Sequence, residues 1–300
     1  MPRRCVMAYL ERVGRNEAFP FYLSVMYAFV NNRFVLLKDA VVPVNDLAIN
    51  RGYGIFDFFK TIKGKPVFLD DHLDRFYRSA TSLRLPVSLS RDKLKEVLIE
   101  LIERNGVENS GIRITLTGGA SFDGYSIGVP NLIISQQAFS PVPRELAEKG
   151  IALLSLEHQR QVPAAKTIDY LTPILLQPKL VEAGADDFLY HKGGIISECP
   201  RANIFAVLDD DTLITHATNV LSGITRNKLL TLAAPYYKIE EGSVNLNDLI
   251  SAKEAFITST TKGVLSIASI DGRLIGTQNR PVSTHLSALL HEAVQRSIND

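Results

Sequence analysis

Cysteine is scarce: only Cys5 and Cys199 occur in 300 residues. Two thiols cannot build a disulfide framework, which points to a reducing, cytoplasmic setting. Charge of one sign is also missing. Thirty-three Lys+Arg against 32 Asp+Glu leave a net charge of +1, so neither nucleic acid nor an anionic membrane is expected as the main partner. Long hydrophobic runs are absent too. No segment approaches the roughly 18 apolar residues of a membrane-crossing helix. The basic start, MPRRCVMAYL, is broken by Glu11, Arg12, Arg15 and Glu17 before it reaches the length of a signal-peptide core. Low-complexity tracts and internal repeats are missing. The six histidines show no H-x-x-x-H spacing, and no metal site is expected.

What is present is a soluble, globular composition, 46% hydrophobic and 22% charged, long enough for two domains. Residues 1–25 read as an extension before the fold. Two apolar runs flank Asn31-Asn32, a hairpin signal, and a second hairpin is expected over 62–69. Helices follow at 70–83 and 91–105. The second carries the stripe Leu94, Val97, Leu98, Leu101 and Ile102, with Ser90 as N-cap and Gly106 past its end. Strands are expected at 112–117, 131–135 and 151–156. The segment 136–145, with two prolines and no helical period, reads as a linker. We take 26–137 as a small N-terminal domain, 138–145 as the linker and 146–300 as a larger C-terminal domain. In the latter, hairpins turn at 192–194, 209–211 and Asp271-Gly272. A helix starts near 224, and a last amphipathic helix carries Leu286, Leu289, Leu290, Ala293 and Val294. Strands and helices mix without βαβ alternation, which favours an α+β fold.

Lys166, in AAKTIDYL, sits among apolar neighbours. An apolar pocket strips the proton from an ammonium and makes a nucleophile; the alternative is a lysine whose stem lies on apolar surface. Glu198 ends an apolar hairpin arm in ISECPRANIF. A carboxylate there suits a protonated pyridine nitrogen, or is simply a hairpin-edge glutamate. Ser222-Gly223-Ile224-Thr225 places small residues at a helix start, as a phosphate cradle or a plain cap. TSTTKG, 258–263, is a phosphate or carboxylate site or a polar turn. Arg75 points away from its helix's apolar stripe, toward solvent or a phosphate. Arg113, on the face opposite Ile112 and Ile114, suits a substrate carboxylate or an acid across the sheet.

Eight segments in order, RGYGIFDFFK, DDHLDRFYRSA, IRIT, AAKTIDYL, ECPRANIF, LSGITR, ITSTTKGV and IDGRLIG, resemble the class IV, fold-type IV aminotransferases, which use pyridoxal 5′-phosphate. The resemblance implies a two-domain α+β fold, with a smaller sandwich-like N-terminal domain and a larger β-rich C-terminal one. It implies Lys166 as the lysine that carries the cofactor and shuttles the proton, and Glu198 at the pyridine nitrogen. Arg75, Gly223, Ile224, Thr225 and Thr260 would hold the phosphate, and Asn203 would lie beside the cofactor. Phe56, Arg113, Thr261 and Lys262 would face the substrate. The family is dimeric, so a homodimer is implied.

Departures bear on the substrate. The family's D-amino acid enzymes place an arginine and a histidine in the loop after Arg113's strand, where this chain has Asp123 and Tyr125. Its branched-chain enzymes carry a tyrosine two positions before the strand arginine, where this chain has Gly111. Asp57 replaces the glutamate that usually follows the pocket aromatic. The implied reaction moves an amino group from an L-amino acid, branched-chain or otherwise apolar, to a 2-keto acid in ping-pong fashion. The rival readings are an aminodeoxychorismate lyase, kept open by Tyr125-Ser126, a D-amino acid aminotransferase, and a binding protein without turnover.

Overall fold

A computed structural model describes residues 25–139, 141–276 and 279–299. The extension expected over 1–25 lies outside them, Val25 excepted, as does Cys5. The chain forms two units. Of the described residues, one comprises 25–139 together with 165–169, and the other comprises 141–164 and those from 170 onward.

The first unit runs β1 (Tyr27–Val30), β2 (Arg33–Leu36), α1 (Leu47–Arg51), β3 (Gly54–Ile62), β4 (Lys65–Pro66), α2 (Leu69–Ser82), α3 (Arg91–Asn105), β5 (Ser110–Thr117) and β6 (Leu132–Ala138). Its sheet has the order β2-β1-β6-β5-β3-β4. Asn31 and Asn32 both take positive φ in the β1–β2 turn, the primed turn that matches strand twist. Ser90 accepts the Lys93 amide to start α3, and Gly106, at φ 61°, ends it. One sheet face packs Ile55, Phe59, Ile112 and Ile114 against Leu73, Phe76, Leu94 and Leu98 of the helices. Alternation then forces Phe56, Phe58, Arg113 and Thr115 onto the other face.

The second unit contains α4 (Arg144–Lys149), β7 (Ile151–Glu157), α5 (Leu171–Leu175), α6 (Gln177–Ala183), β8 (Asp187–Lys192), β9 (Ile195–Ile196), β10 (Glu198–Cys199), β11 (Ala202–Val207), β12 (Leu213–His216), α7 (Ile224–Ala233), β13 (Ile239–Gly242), α8 (Leu246–Ile250), β14 (Glu254–Ser259), β15 (Gly263–Ile270), β16 (Arg273–Leu274) and α9 (Pro281–Asn299). Its sheet runs β13-β12-β11-β14-β15-β7-β8-β9, with β10 on β11 and β16 on β15. The pairs β7–β8, β7–β15 and β12–β13 are parallel. Ile151, Leu153, Ile204, Ile257, Leu265 and Ile267 lie in its core.

Two differences from the sequence reading concern its boundaries. The expected linker is not irregular throughout: β6 continues to Ala138, and α4 begins at Arg144. Glu148, one turn on, pairs with Arg144 at 2.7 Å, a support invisible in a search for an apolar stripe. Residues 165–169, placed by sequence in the second domain, instead belong to the first unit.

Candidate active site

In the first unit Lys166 is held by its backbone. Its carbonyl accepts the Phe56 amide at 2.9 Å, and the Ile168 amide donates to Gly54 at 3.1 Å. Its own amide donates to the Ser79 hydroxyl at 3.2 Å. Residues 166–168 thus run antiparallel beside the start of β3, with Thr167 opposite Ile55. The side chain is half-buried, with Nζ over the Phe56 ring, 4.6 Å from its centre. The Arg113 guanidinium lies 4.1 Å from the same centre. Cations over an aromatic ring are attracted to its π face. Three residues expected from sequence, Lys166, Phe56 and Arg113, therefore gather on one sheet face.

Arg75 does not reach solvent. It is 4% exposed, and its Nε and Nη2 both donate to Asp57 at 2.8 Å. His72 Nδ1 lies 2.7 Å from the same carboxylate. The helical spacing of His72, Arg75 and Ser79 (i, i+3, i+7) makes a buried polar ridge on α2 that faces β3. That spacing was readable in the sequence but was masked by the stronger apolar stripe beside it. Burial pushes the Asp57 carboxyl up. The charge and hydrogen bonds of Arg75, then those of His72, more than offset this and hold it well below the usual carboxylate range. Burial is the main cause lowering His72, against the pull of Asp57. Nη1 of Arg75 has no hydrogen-bond partner among the described residues.

In the second unit strand register sets Glu198 opposite Asn203, and Asn203 opposite Thr258. These three buried polar side chains share one face. Glu198 Oε1 accepts from Arg160 Nη1 at 3.1 Å, and Oε2 accepts the Leu221 amide at 3.0 Å. Asn203 Nδ2 donates to the Leu221 carbonyl at 2.8 Å. A Cβ at Gly223 would come within 2.0 Å of Asn203 Oδ1, so the start of α7 reaches this close only because residue 223 has no side chain. No side chain caps α7, and the Ile224 and Thr225 amides have no acceptor among the described residues. Thr258 Oγ1 is buried without a partner among them.

Residues 260–262 form the turn after β14. Thr260 is half-buried there. The Lys262 amide, expected to face a substrate carboxylate, donates instead to the Ser259 hydroxyl at 3.1 Å, and its ammonium points to Asp187 at 3.4 Å. Sequence reasoning missed Arg160, which lies outside every expected motif but was signalled by Glu198's need for a buried cation. It also missed Thr258, which only strand register brings into line.

The donor set fits pyridoxal 5′-phosphate. Open helix-start amides suit its phosphate, and a buried carboxylate suits its protonated ring nitrogen. An orphaned hydroxyl shares the carboxylate's face, and in the first unit a lysine beside an aromatic ring is the residue type its aldehyde needs.

Residues 54–270 match the family described as amino-transferase class IV. A putative branched-chain-amino-acid aminotransferase of Methanocaldococcus jannaschii is 31% identical over 83% of this chain and 90% of its own length. A D-alanine aminotransferase of Listeria monocytogenes is 27% identical over 92% of this chain and 98% of its own. Among solved structures, a branched-chain amino acid aminotransferase holding pyridoxamine 5′-phosphate superposes with a TM-score of 0.83 at 25% identity, covering 91% of this chain and 96% of that one. The Escherichia coli branched-chain enzyme gives 0.77 at 25% identity, covering 87% and 92%. With the family matched over residues 54–270 and a relative 31% identical over most of both chains, the chain belongs to the class IV aminotransferases and works with pyridoxal 5′-phosphate.

Proposed function

We propose that this enzyme takes the amino group from an apolar, branched-chain-like L-amino acid and passes it to a 2-keto acid. The loop after β5 carries the choice of donor. Residues 118–129 contain no arginine, lysine or histidine. Their one acid, Asp123, accepts from the Ser121 hydroxyl, from the Tyr125 and Ser126 amides, and from the Ser126 hydroxyl. A loop folded round its own carboxylate and without a cationic side chain offers no charge partner for a D-donor's carboxylate. The Ser126 hydroxyl is engaged in the same turn, which weakens the lyase reading.

The bound cofactor supplies an aldehyde for the amino group and a ring that stores the electron pair of the broken Cα–H bond. Nζ of Lys166 would hold and move the Cα proton of the donor. The Phe56 ring keeps water from one side of that amine. Glu198 holds the proton on the ring nitrogen, and Arg160 offsets the carboxylate's charge. In the second unit the Ile224 and Thr225 amides and the Thr260 hydroxyl would hold the phosphate, Gly223 letting the helix start approach Asn203; in the first unit Arg75 would offer Nη1 to it. Arg113 and the turn at Thr261 and Lys262 meet the substrate carboxylate or side chain.

A homodimer is part of this reading. Val41, Val44, Phe122, Tyr125 and Val129 are exposed in one unit, and Leu171, Ile174, Leu175 and Val181 in the other. Large exposed apolar side chains in such clusters mark interfaces. The buried free thiol of Cys199 suits a reducing cytoplasm. Size-exclusion with light scattering should give twice the chain mass.

The decisive test mixes cofactor-loaded enzyme with single amino donors and follows the cofactor absorbance in one turnover. L-leucine and L-valine should react, and D-alanine should not. D-alanine reacting as fast as the best L-donor would overturn the choice. Borohydride reduction followed by peptide mapping should label Lys166; a label elsewhere would overturn its role.

A further inference from the structure

The face of the first sheet that carries Lys166's aromatic support holds one more ring. Register sets Phe56 opposite Thr115, Phe58 opposite Arg113, and Lys60 opposite Gly111. All six point the same way. Phe58 does not stand over its direct partner alone. A Cβ built on Gly111 would lie 2.2 Å from Phe58 Cζ and 2.6 Å from its Cε2. The ring is therefore laid diagonally across the strand onto the bare backbone of residue 111. It fills the room that a side chain there would occupy. Diagonal neighbours on paired strands are within reach of an aromatic side chain, and only glycine lets the ring come down this far. Phe58 is only half-buried, so one side of it is not used by the core. Its neighbour across the strands, Arg113, reaches the Phe56 ring that also supports Lys166.

We propose that Phe58, seated on Gly111, is a specificity-determining residue. Its ring is the wall that limits how large a donor side chain fits beside Arg113 and Lys166. The ligand class is an apolar aliphatic side chain, with bulky aromatic donors turned away. This rests on the aminotransferase reading above. It adds that wall and hole belong to one reciprocal pair: a ring from β3 stands where a ring from β5 could stand instead.

The test compares kcat/KM for L-phenylalanine and L-valine in cofactor-loaded wild type, Phe58→Ala and the exchange Phe58→Gly with Gly111→Tyr. A single methylene more or less in an apolar pocket changes discrimination by about 10- to 200-fold, and a whole ring is a larger change. Phe58→Ala should therefore raise the phenylalanine-to-valine ratio at least about tenfold, with cofactor stoichiometry unchanged. The exchange should bring the ratio back toward wild type, because tyrosine at 111 refills the vacated room. Phe58→Leu, a milder change, should shift the ratio in the same direction. A ratio that stays within about twofold in fully loaded Phe58→Ala or Phe58→Leu overturns the proposal, as does an exchange variant that behaves like Phe58→Ala. Wild type that prefers no apolar L-donor overturns the substrate reading, and this proposal with it.

Discussion

Asp57 is a buried carboxylate whose charge is answered by one arginine and one histidine. Removing one partner of such a set leaves an uncompensated ion and costs about 3–5 kcal/mol. Asp57→Asn should lower the stability found from urea unfolding by about that amount. The set also makes stability depend on pH. Burial lowers His72 in the fold, while the unfolded chain takes up its proton near the ordinary value of about 6.5. The fold therefore binds fewer protons than the unfolded chain once pH drops below about 6.5, and stability falls from there downward. Asp57, held low in the fold, adds a second loss as pH passes down through the carboxylate range near 4. Urea midpoints measured from pH 8 to 5 should fall below about 6.5 in wild type and fall less steeply in His72→Gln.

At the scale of elements, two helix starts show how packing replaces local capping. The start of α9 is held by Glu254 of β14, which accepts from the Val282 and Ser283 amides, both at 2.9 Å, and from the Ser283 hydroxyl at 2.7 Å. Glu254→Ala strands these buried donors, each costing about 1–3 kcal/mol when left unmade, so its melting temperature should drop by several degrees. The start of α7 is left open to a ligand, and its approach to Asn203 depends on Gly223. Gly223→Ala should weaken cofactor binding about tenfold or more in a titration while leaving far-UV circular dichroism unchanged.

The same elements show what sequence makes legible. The α3 boundaries, Ser90 and Gly106, were readable because each cap is a contact within one turn of chain. The Asn31-Asn32, Gly193-Gly194 and Asp271-Gly272 turns were readable because backbone sterics decide them. The short helices α5 and α6 were not, since neither buries a residue and so neither shows an apolar stripe; nor were the parallel pairs β7–β8 and β12–β13, whose strands are joined through long crossovers. The site divides in the same way. Lys166, Glu198 and the 223–225 helix start stood out in the sequence as residue types in motifs, as candidates for the site proposed above. The pairing of Arg75 with Asp57, the Arg160 partner of Glu198 and the seat of Phe58 on Gly111 were not, because each joins residues of different segments.

For the whole molecule, cofactor binding is a stability term. A ligand at a hundred times its Kd stabilises the state that binds it by about 2.7 kcal/mol. Thermal unfolding should therefore shift upward with added pyridoxal 5′-phosphate. In Lys166→Ala the shift should shrink but persist, since phosphate and ring contacts come from residues other than the lysine. A variant that loses the shift entirely would mean that the attachment at Lys166 supplies all the affinity.

By itself the sequence determined the α+β class, the main helices and hairpins, and the family. These follow from periodicity, turn chemistry and residue type, which are properties of short stretches. Tertiary structure alone decided that residues 165–169 pack with the first unit, that Arg75 is bound to Asp57 inside it, and that an aromatic ring lies where Gly111 leaves room. Those outcomes depend on which strands become neighbours and in what register, and no short stretch of chain carries that information.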